Sequence, residues 1–387
     1  SILSLLALFS FILSLKTKSN FYWFLTPIFL GLAFLSKQTP ASYIGLIIAF
    51  FSLIYFVYNF NIKKILFFIA GTISIITCFI LFLLINEIPF LSFYEQYILF
   101  PLTIGESRFQ YLLFPIELKR IILRFKLIHL SQLILIIIIF KNILKNIKYL
   151  KNEEFFILTS ITTTSLSLII HQLVTLNQKF IFFIIPILLG FSHVYFKKNF
   201  TNKIYIIYLL IFLGIGSTIY YKSNYGDNRK FMELANVNLN KAVNVVSLDS
   251  RLKNLKWINP AYPNNPKEEI EYIKNSIKFI KKDSRKKMII TEYQFISSLM
   301  PNHAYSPSRT YAQNGASHPL KGDKQFETYK SFFINQIIKN DIKIIYTIKP
   351  LDSYIYSSIL DENCVQKSKI NEILNSHLIL DCDILGN

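Results

Sequence analysis

Between residues 1 and 221 the chain is almost unbroken hydrocarbon, cut at regular intervals by short lysine-bearing gaps. That pattern fixes the solvent. The runs 41–60 and 65–85 have the length of about 20 residues at which a helix crosses a bilayer core of about 30 Å. Backbone amides in hydrocarbon find no water, so a spanning segment is a helix or part of a closed barrel. Barrel strands alternate apolar and polar residues, whereas these runs are apolar on every face. The expected fold is a polytopic α-helical membrane protein with about eight spans and a C-terminal soluble α/β domain. The spans read as roughly 1–15, 21–36, 41–58, 65–85, 121–140, 155–176, 180–196 and 204–221.

The gaps also give an orientation. Lys16 and Lys18, Lys63 and Lys64, the set Lys141, Lys145, Lys148 and Lys151, and the set Lys197, Lys198 and Lys203 share one side if the spans alternate. By the positive-inside tendency that side is the cytoplasm. The turn at Lys37–Pro40, the long loop at about 86–120, the turn Asn177–Lys179 and everything after Tyr221 then lie outside. The expected location is the inner (plasma) membrane, multi-pass, with an extracytoplasmic tail. Membrane lipids are the first partners. The net charge of +19 does not point to nucleic acid, because the lysines are dispersed through gaps and tail rather than gathered with aromatics into one groove. The chain starts at Ser1 inside an apolar run, without a basic leader and cleavage site, as a segment of a longer protein would.

Residues 222–387 have a different texture. Pro266 followed by Glu268 and Glu269 marks a helix start. Ile270, Ile273, Ile277 and Ile280 form one face of that helix. Residues 287–291 read as a buried strand, and Phe326, Tyr329, Phe333, Ile337 and Ile338 mark a second amphipathic helix. A strand at 342–348, a short helix near 355–360 and a last strand near 378–380 follow. The alternation predicts an α/β layer. No Gly-rich phosphate loop follows any of these strands.

The segment Gly31-Leu32-Ala33-Phe34-Leu35-Ser36-Lys37-Gln38-Thr39-Pro40 resembles a span-turn-span element of the GT-C glycosyltransferases. The branch it is most like holds the bacterial aminoarabinose transferases and relatives of protein O-mannosyltransferases. The element Asn177-Gln178-Lys179-Phe180, running into Phe183-Ile184-Ile185-Pro186, is similar to another part of those proteins. The family's acidic motif lies in the first outside loop, which here would fall before Ser1.

The resemblance implies a polyprenyl-phosphate-linked sugar as donor and a glycan, lipid or protein as acceptor. A carboxylate would position or deprotonate the acceptor. Cations, or a divalent metal, would stabilise the leaving phosphate. Lys37, beside Gln38, stands between two apolar spans on the outer side, where an ammonium is costly unless paired. It either meets a lipid phosphate or snorkels at a span end. Lys179, with Gln178, is a second phosphate candidate. In the loop at about 86–120, Arg108 has the planar fork that suits phosphate. Glu95 or Glu106 would hold a sugar hydroxyl. The alternative for each is interfacial anchoring among the aromatics around them.

His171 and Gln172 sit near a span end, suited to proton relay or to interhelical packing. His303 and His318 have no ligand spacing and read as loop residues, so no metal site is assigned. Cys78 reads as a small buried residue in a span, and Cys364 and Cys382 as a pair that an oxidising compartment would allow to bridge. Two other classes remain open: a transporter or flippase, and a non-catalytic envelope polysaccharide assembly protein. The clustering of polar residues at the outer span ends, without a clear internal repeat, weighs against transport.

Overall fold

The structure, a computed structural model, describes residues 2–17, 19–103, 118–175, 180–200, 204–223, 234, 236–291, 293, 295–300, 304–307, 318–348 and 358–380. The chain divides into two compact units, one of residues 1–88 and 108–229, the other of residues 89–107 and 230–387.

The first unit is helical. Its elements are α1 (Ile2–Lys16), α2 (Phe21–Ser36), α3 (Gln38–Tyr58), α4 (Ile62–Ile85), α5 (Lys126–Lys145), α6 (Glu153–Thr175), α7 (Ile184–Asn199) and α8 (Ile204–Lys222). Among the described residues six stretches are long and apolar enough to cross a membrane, namely α3, α4, α5, α6, α8 and α7 together with the turn that leads into it (Ile181–Asn199), whereas α1 and α2 are apolar but shorter. The fifth apolar run is not the single span 121–140 expected from sequence. A short helix, Leu118–Arg124, ends at Phe125, whose backbone leaves the helical region (φ −109°, ψ 19°), and α5 starts one residue later. Lys141 and Lys145 are therefore part of that helix rather than of the gap after it.

Glycine sets how α2 meets α4. A Cβ on Gly71 would lie 2.1 Å from the Phe24 carbonyl oxygen and 2.8 Å from Pro27 Cγ. Only a hydrogen at that position allows the backbones to approach so closely. An aromatic cluster fills the core, with Trp23 against Phe11 (5.9 Å) and Tyr55 (5.6 Å), and Tyr55 edge-on to Phe156 (5.5 Å). At the lysine-rich end, polar ties join the helices. Glu154 accepts from Lys198 Nζ and from Tyr149 OH (3.3 Å), and Tyr55 OH donates to Glu153 (3.2 Å) while accepting from Lys64 Nζ (2.9 Å). Both glutamates also lie in the first turn of α6, where the helix dipole favours them. Cys78, expected to be buried, is exposed on α4.

The α4 terminus explains the chain's exit into the next segment. Ile88 N donates to Leu83 O (2.9 Å) and Glu87 N to Leu84 O (3.2 Å), with Glu87 in the left-handed region (φ 52°). This is the six-to-one and five-to-two pattern that closes a helix C-terminus, here with glutamate where glycine is usual.

The second unit is an α/β layer with sheet order β4-β3-β5-β7-β6. The strands are β3 (Lys287–Thr291), β4 (Ala304–Tyr305), β5 (Ile344–Ile348), β6 (Val365–Lys369) and β7 (Leu374–Ile379), and a separate two-stranded ribbon pairs β1 (Val243–Asn244) with β2 (Lys256–Trp257). β3 runs parallel to β4 and β5, and β7 runs antiparallel to β5 and β6.

Helix α9 (Pro266–Lys282) packs Ile273, Ile277 and Ile280 on Ile289, Ile344 and Tyr346, while α10 (Phe326–Lys339) packs Tyr329, Phe333 and Ile337 on Met288, Ile290 and Ile345. Successive strand residues thus serve opposite helices, and β3 and β5 are buried along their whole length. Pro266 at the start of α9, acids in its first turn and lysines in its last follow the expected helix polarity.

The final strand expected near 378–380 is a hairpin, β6–β7. β6 (VQKSK) is mostly exposed and polar, so no apolar alternation announced it. The helix expected near 355–360 falls largely outside the described residues.

Candidate functional site

The α2–α3 corner is built by Thr39-Pro40. Proline lacks an N–H and pushes the residue before it out of the helical region. Thr39 is accordingly extended (φ −109°, ψ 131°), as is Lys37 (φ −158°, ψ 116°). The helix hydrogen bonds stop at Lys37 N, which donates to Ala33 O (2.9 Å). Non-helical backbone at the end of an apolar helix is tolerated where it meets water or a polar cavity.

Lys37 is exposed, Gln38 is half-buried, and the Lys37 ammonium has no ion pair among the described residues. His171 and Gln172, both buried on α6, belong to the same unit. The His171 ring packs on Tyr43 at 5.8 Å, and Lys37 is near enough to act on it electrostatically. The sequence singled out Lys37 and His171 but neither Tyr43 nor the association of the three.

Glu95 belongs to the second unit. A short helix, Phe90–Phe93, passes into a π-helical turn, Tyr94–Leu99. Phe100 anchors the segment: it is 1% exposed and meets Tyr329 (5.4 Å) and Phe332 (5.9 Å) of α10 edge-on. Tyr97, buried as well, stacks on Phe93 at 5.0 Å. Between this segment and α10 runs a groove of about 750 Å³, with Ser92 and Glu95 on one wall and Glu327, Ser331, Asn335 and Lys339 on the other. Burial pushes the Glu95 carboxyl above its ordinary value, the direction that suits a proton-transferring group.

Another carboxylate escaped the sequence reading as a site. Glu269, fully buried, accepts from Trp257 Nε1 (2.7 Å), Asn259 Nδ2 (2.7 Å) and Tyr293 OH (2.6 Å). Burial, and then the Glu269 carboxylate, push the Tyr293 hydroxyl well above its ordinary value. With its oxygens occupied by protein donors, Glu269 is a structural group. His318 lies in irregular backbone, as expected, but is fully buried and stacks on Tyr329 at 5.3 Å.

Glu106, Arg108, Gln178, Lys179, His303 and Cys382 lie outside the described residues. Among the described residues no group of three or more His, Cys, Asp or Glu is arranged to hold a metal ion. An apolar cleft of about 430 Å³ opens between α7 and α8 at Leu189, Gly190, Gly214 and Ile215, with His193 at its edge. Within the first unit the polar residues are not confined to helix ends. Thr164, Ser165 and Ser167 on α6, Ser52 on α3 and Gln132 Oε1 on α5 are buried atoms without a hydrogen-bond partner among the described residues.

No protein-family model, no curated protein and no solved structure matches the chain.

Proposed function

We propose that the chain belongs to a membrane glycosyltransferase that moves a sugar from a polyprenyl-phosphate donor to a glycan, lipid or protein acceptor at the extracytoplasmic face. The carrying observation is the Lys37 ammonium, held on a broken backbone between two apolar helices and without a carboxylate partner among the described residues. A cation so placed favours an anion carried by a lipid, and a polyprenyl phosphate meets that requirement. The resemblance of residues 31–40 and 177–186 to the GT-C enzymes supports the same reading. In this reading α1 to α8 all cross the membrane, the lysine-rich gaps face the cytoplasm, and the second unit lies outside.

The chemistry is a displacement at the sugar's anomeric carbon. A carboxylate takes the acceptor proton, the acceptor oxygen or nitrogen forms the new bond, and the bond to phosphate oxygen breaks. The lipid phosphate leaves with the electron pair, and Lys37 stabilises its charge. Glu95 and Glu106 are the carboxyl candidates that the sequence offers for the proton transfer. Gln38, Gln178, Lys179 and Arg108 would hold the donor's polar head.

Lys37→Gln should weaken binding of a polyprenyl phosphate to the chain in nanodiscs at least ten-fold, with Lys37→Arg retaining most of it. Equal affinity in wild type and Lys37→Gln removes Lys37 from the donor site. A second reading, a multi-span transporter, is favoured by the unpartnered polar atoms along α6. It predicts that Thr164→Val and Ser165→Ala abolish solute uptake into proteoliposomes, whereas the transferase reading predicts no uptake to abolish.

A further inference from the structure

The groove against α10 has a chemistry that the donor does not need. Glu327, Ser331, Asn335 and Lys339 recur every four residues and therefore form one stripe along the helix. Facing them are Ser92 and Glu95. The set offers carboxylate acceptors, an amide that both donates and accepts, and hydroxyls that do the same. That mixture matches a ligand dense in hydroxyl groups, each of which both donates and accepts. Phe332 and Leu91 add apolar surface for the C–H faces of a sugar ring. A volume of about 750 Å³ lies in the range of about 300–1,000 Å³ found for small-ligand sites. Two carboxylates against one ammonium disfavour phosphorylated or uronic-acid ligands, although the whole chain carries +19.

One wall of the groove carries a further signal. Phe90, Leu91 and Tyr94 are 68%, 64% and 42% exposed. They begin five residues after Ile85, the last residue of the spanning helix α4. Exposed aromatic and aliphatic side chains so close in sequence to a span end suit the lipid headgroup boundary. A saccharide in this groove is thus equally accessible as a free chain or as the polar end of a lipid.

We propose that the Glu95–Asn335 groove is a binding site for a neutral or amine-bearing saccharide of two or three rings. This deepens the transferase reading by making the acceptor a glycan, and it rests on that reading only for the word acceptor. The test is binding, on the whole chain in nanodiscs, by saturation-transfer NMR. The probes are maltotriose, chitotriose, its de-N-acetylated trimer and trigalacturonate, with an alkyl maltoside as the lipid-linked arm. We expect saturation transfer to at least one neutral or amine-bearing trimer, and none to trigalacturonate. Ser331→Trp, at an exposed position, should abolish the signal, and Asn335→Ala should weaken binding at least ten-fold. Tighter binding of the alkyl maltoside than of maltotriose identifies a lipid-linked ligand; equal binding identifies a free glycan. No binding of any neutral or amine-bearing probe, or binding that survives both variants, overturns the proposal. Release of polyprenyl phosphate by the wild-type chain reads the transferase separately, so either idea can fail while the other stands.

Discussion

The Glu269 carboxylate has no solvent exposure, and three side-chain donors converge on it. Glu269→Ala strands those donors in the interior of the second unit, where each unmade bond costs about 1–3 kcal/mol. The expected loss is about 3 kcal/mol or more, read as a lower melting temperature by Trp257 emission in a Trp23→Phe background. Unchanged melting contradicts the structural role.

His318 and His377 make acid stability a second residue-scale test. Burial brings each of them down to about 4, with Asp323 opposing the shift at His318 and Lys367 adding to it at His377. The unfolded chain, with histidines near 6.5, binds more protons between about pH 6.5 and 4. Stability contributed by these groups is therefore complete above about pH 6.5 and lost as the pH falls toward about 4. Melting of the second unit should drop across that window, and His318→Phe should flatten the drop. A pH-independent melting temperature from 7 to 4.5 contradicts the burial of neutral imidazoles. Lys37 was legible in sequence because a charge between apolar runs is conspicuous. Glu269 was not, because its partners stand 12, 10 and 24 positions away and only the fold brings them together.

At the scale of elements, the close α2–α4 crossing depends on Gly71. Gly71→Val puts atoms where the Phe24 carbonyl lies, so the two helices must separate. A loss of thermal stability in detergent, with Gly216→Val nearly neutral because nothing lies within 4 Å of its Cβ, is the expected contrast. Equal effects of the two variants count against the crossing. Phe100→Ala should free the segment 89–103 from α10 at a cost of about 3–5 kcal/mol, seen as faster amide exchange across the Phe90–Leu99 turns.

Length located α3 and α4, whose apolar runs match a bilayer, and apolar patterning located α9, α10, β3 and β5, each of which buries it. β6 was missed because an exposed edge strand carries no such pattern. The break at Phe125 was missed because no proline or glycine marks it.

For the whole molecule, the change from hydrocarbon to mixed polar sequence after residue 221 foreshadowed two bodies. It did not foreshadow that residues 89–107 cluster with the later one. The packing of Phe100 on α10 is a tertiary contact across more than two hundred residues, which local pattern does not encode. The proposed orientation places the second unit outside. In a Cys-free background, Lys253→Cys should react with an impermeant maleimide on intact cells, and Lys148→Cys only after lysis. The reverse pattern inverts the topology and removes Lys37 from the extracytoplasmic side.

The most direct measurement is sugar transfer itself. The chain, with whatever precedes Ser1 in its reading frame, would be placed in liposomes with radiolabelled mannosyl, glucosyl and aminoarabinosyl polyprenyl phosphates and extracted envelope glycans. The proposed function predicts release of polyprenyl phosphate from at least one donor, with label moving to the glycan and both lost in Lys37→Gln. A correctly inserted wild-type protein that neither releases the lipid phosphate nor moves label from any of the three contradicts it.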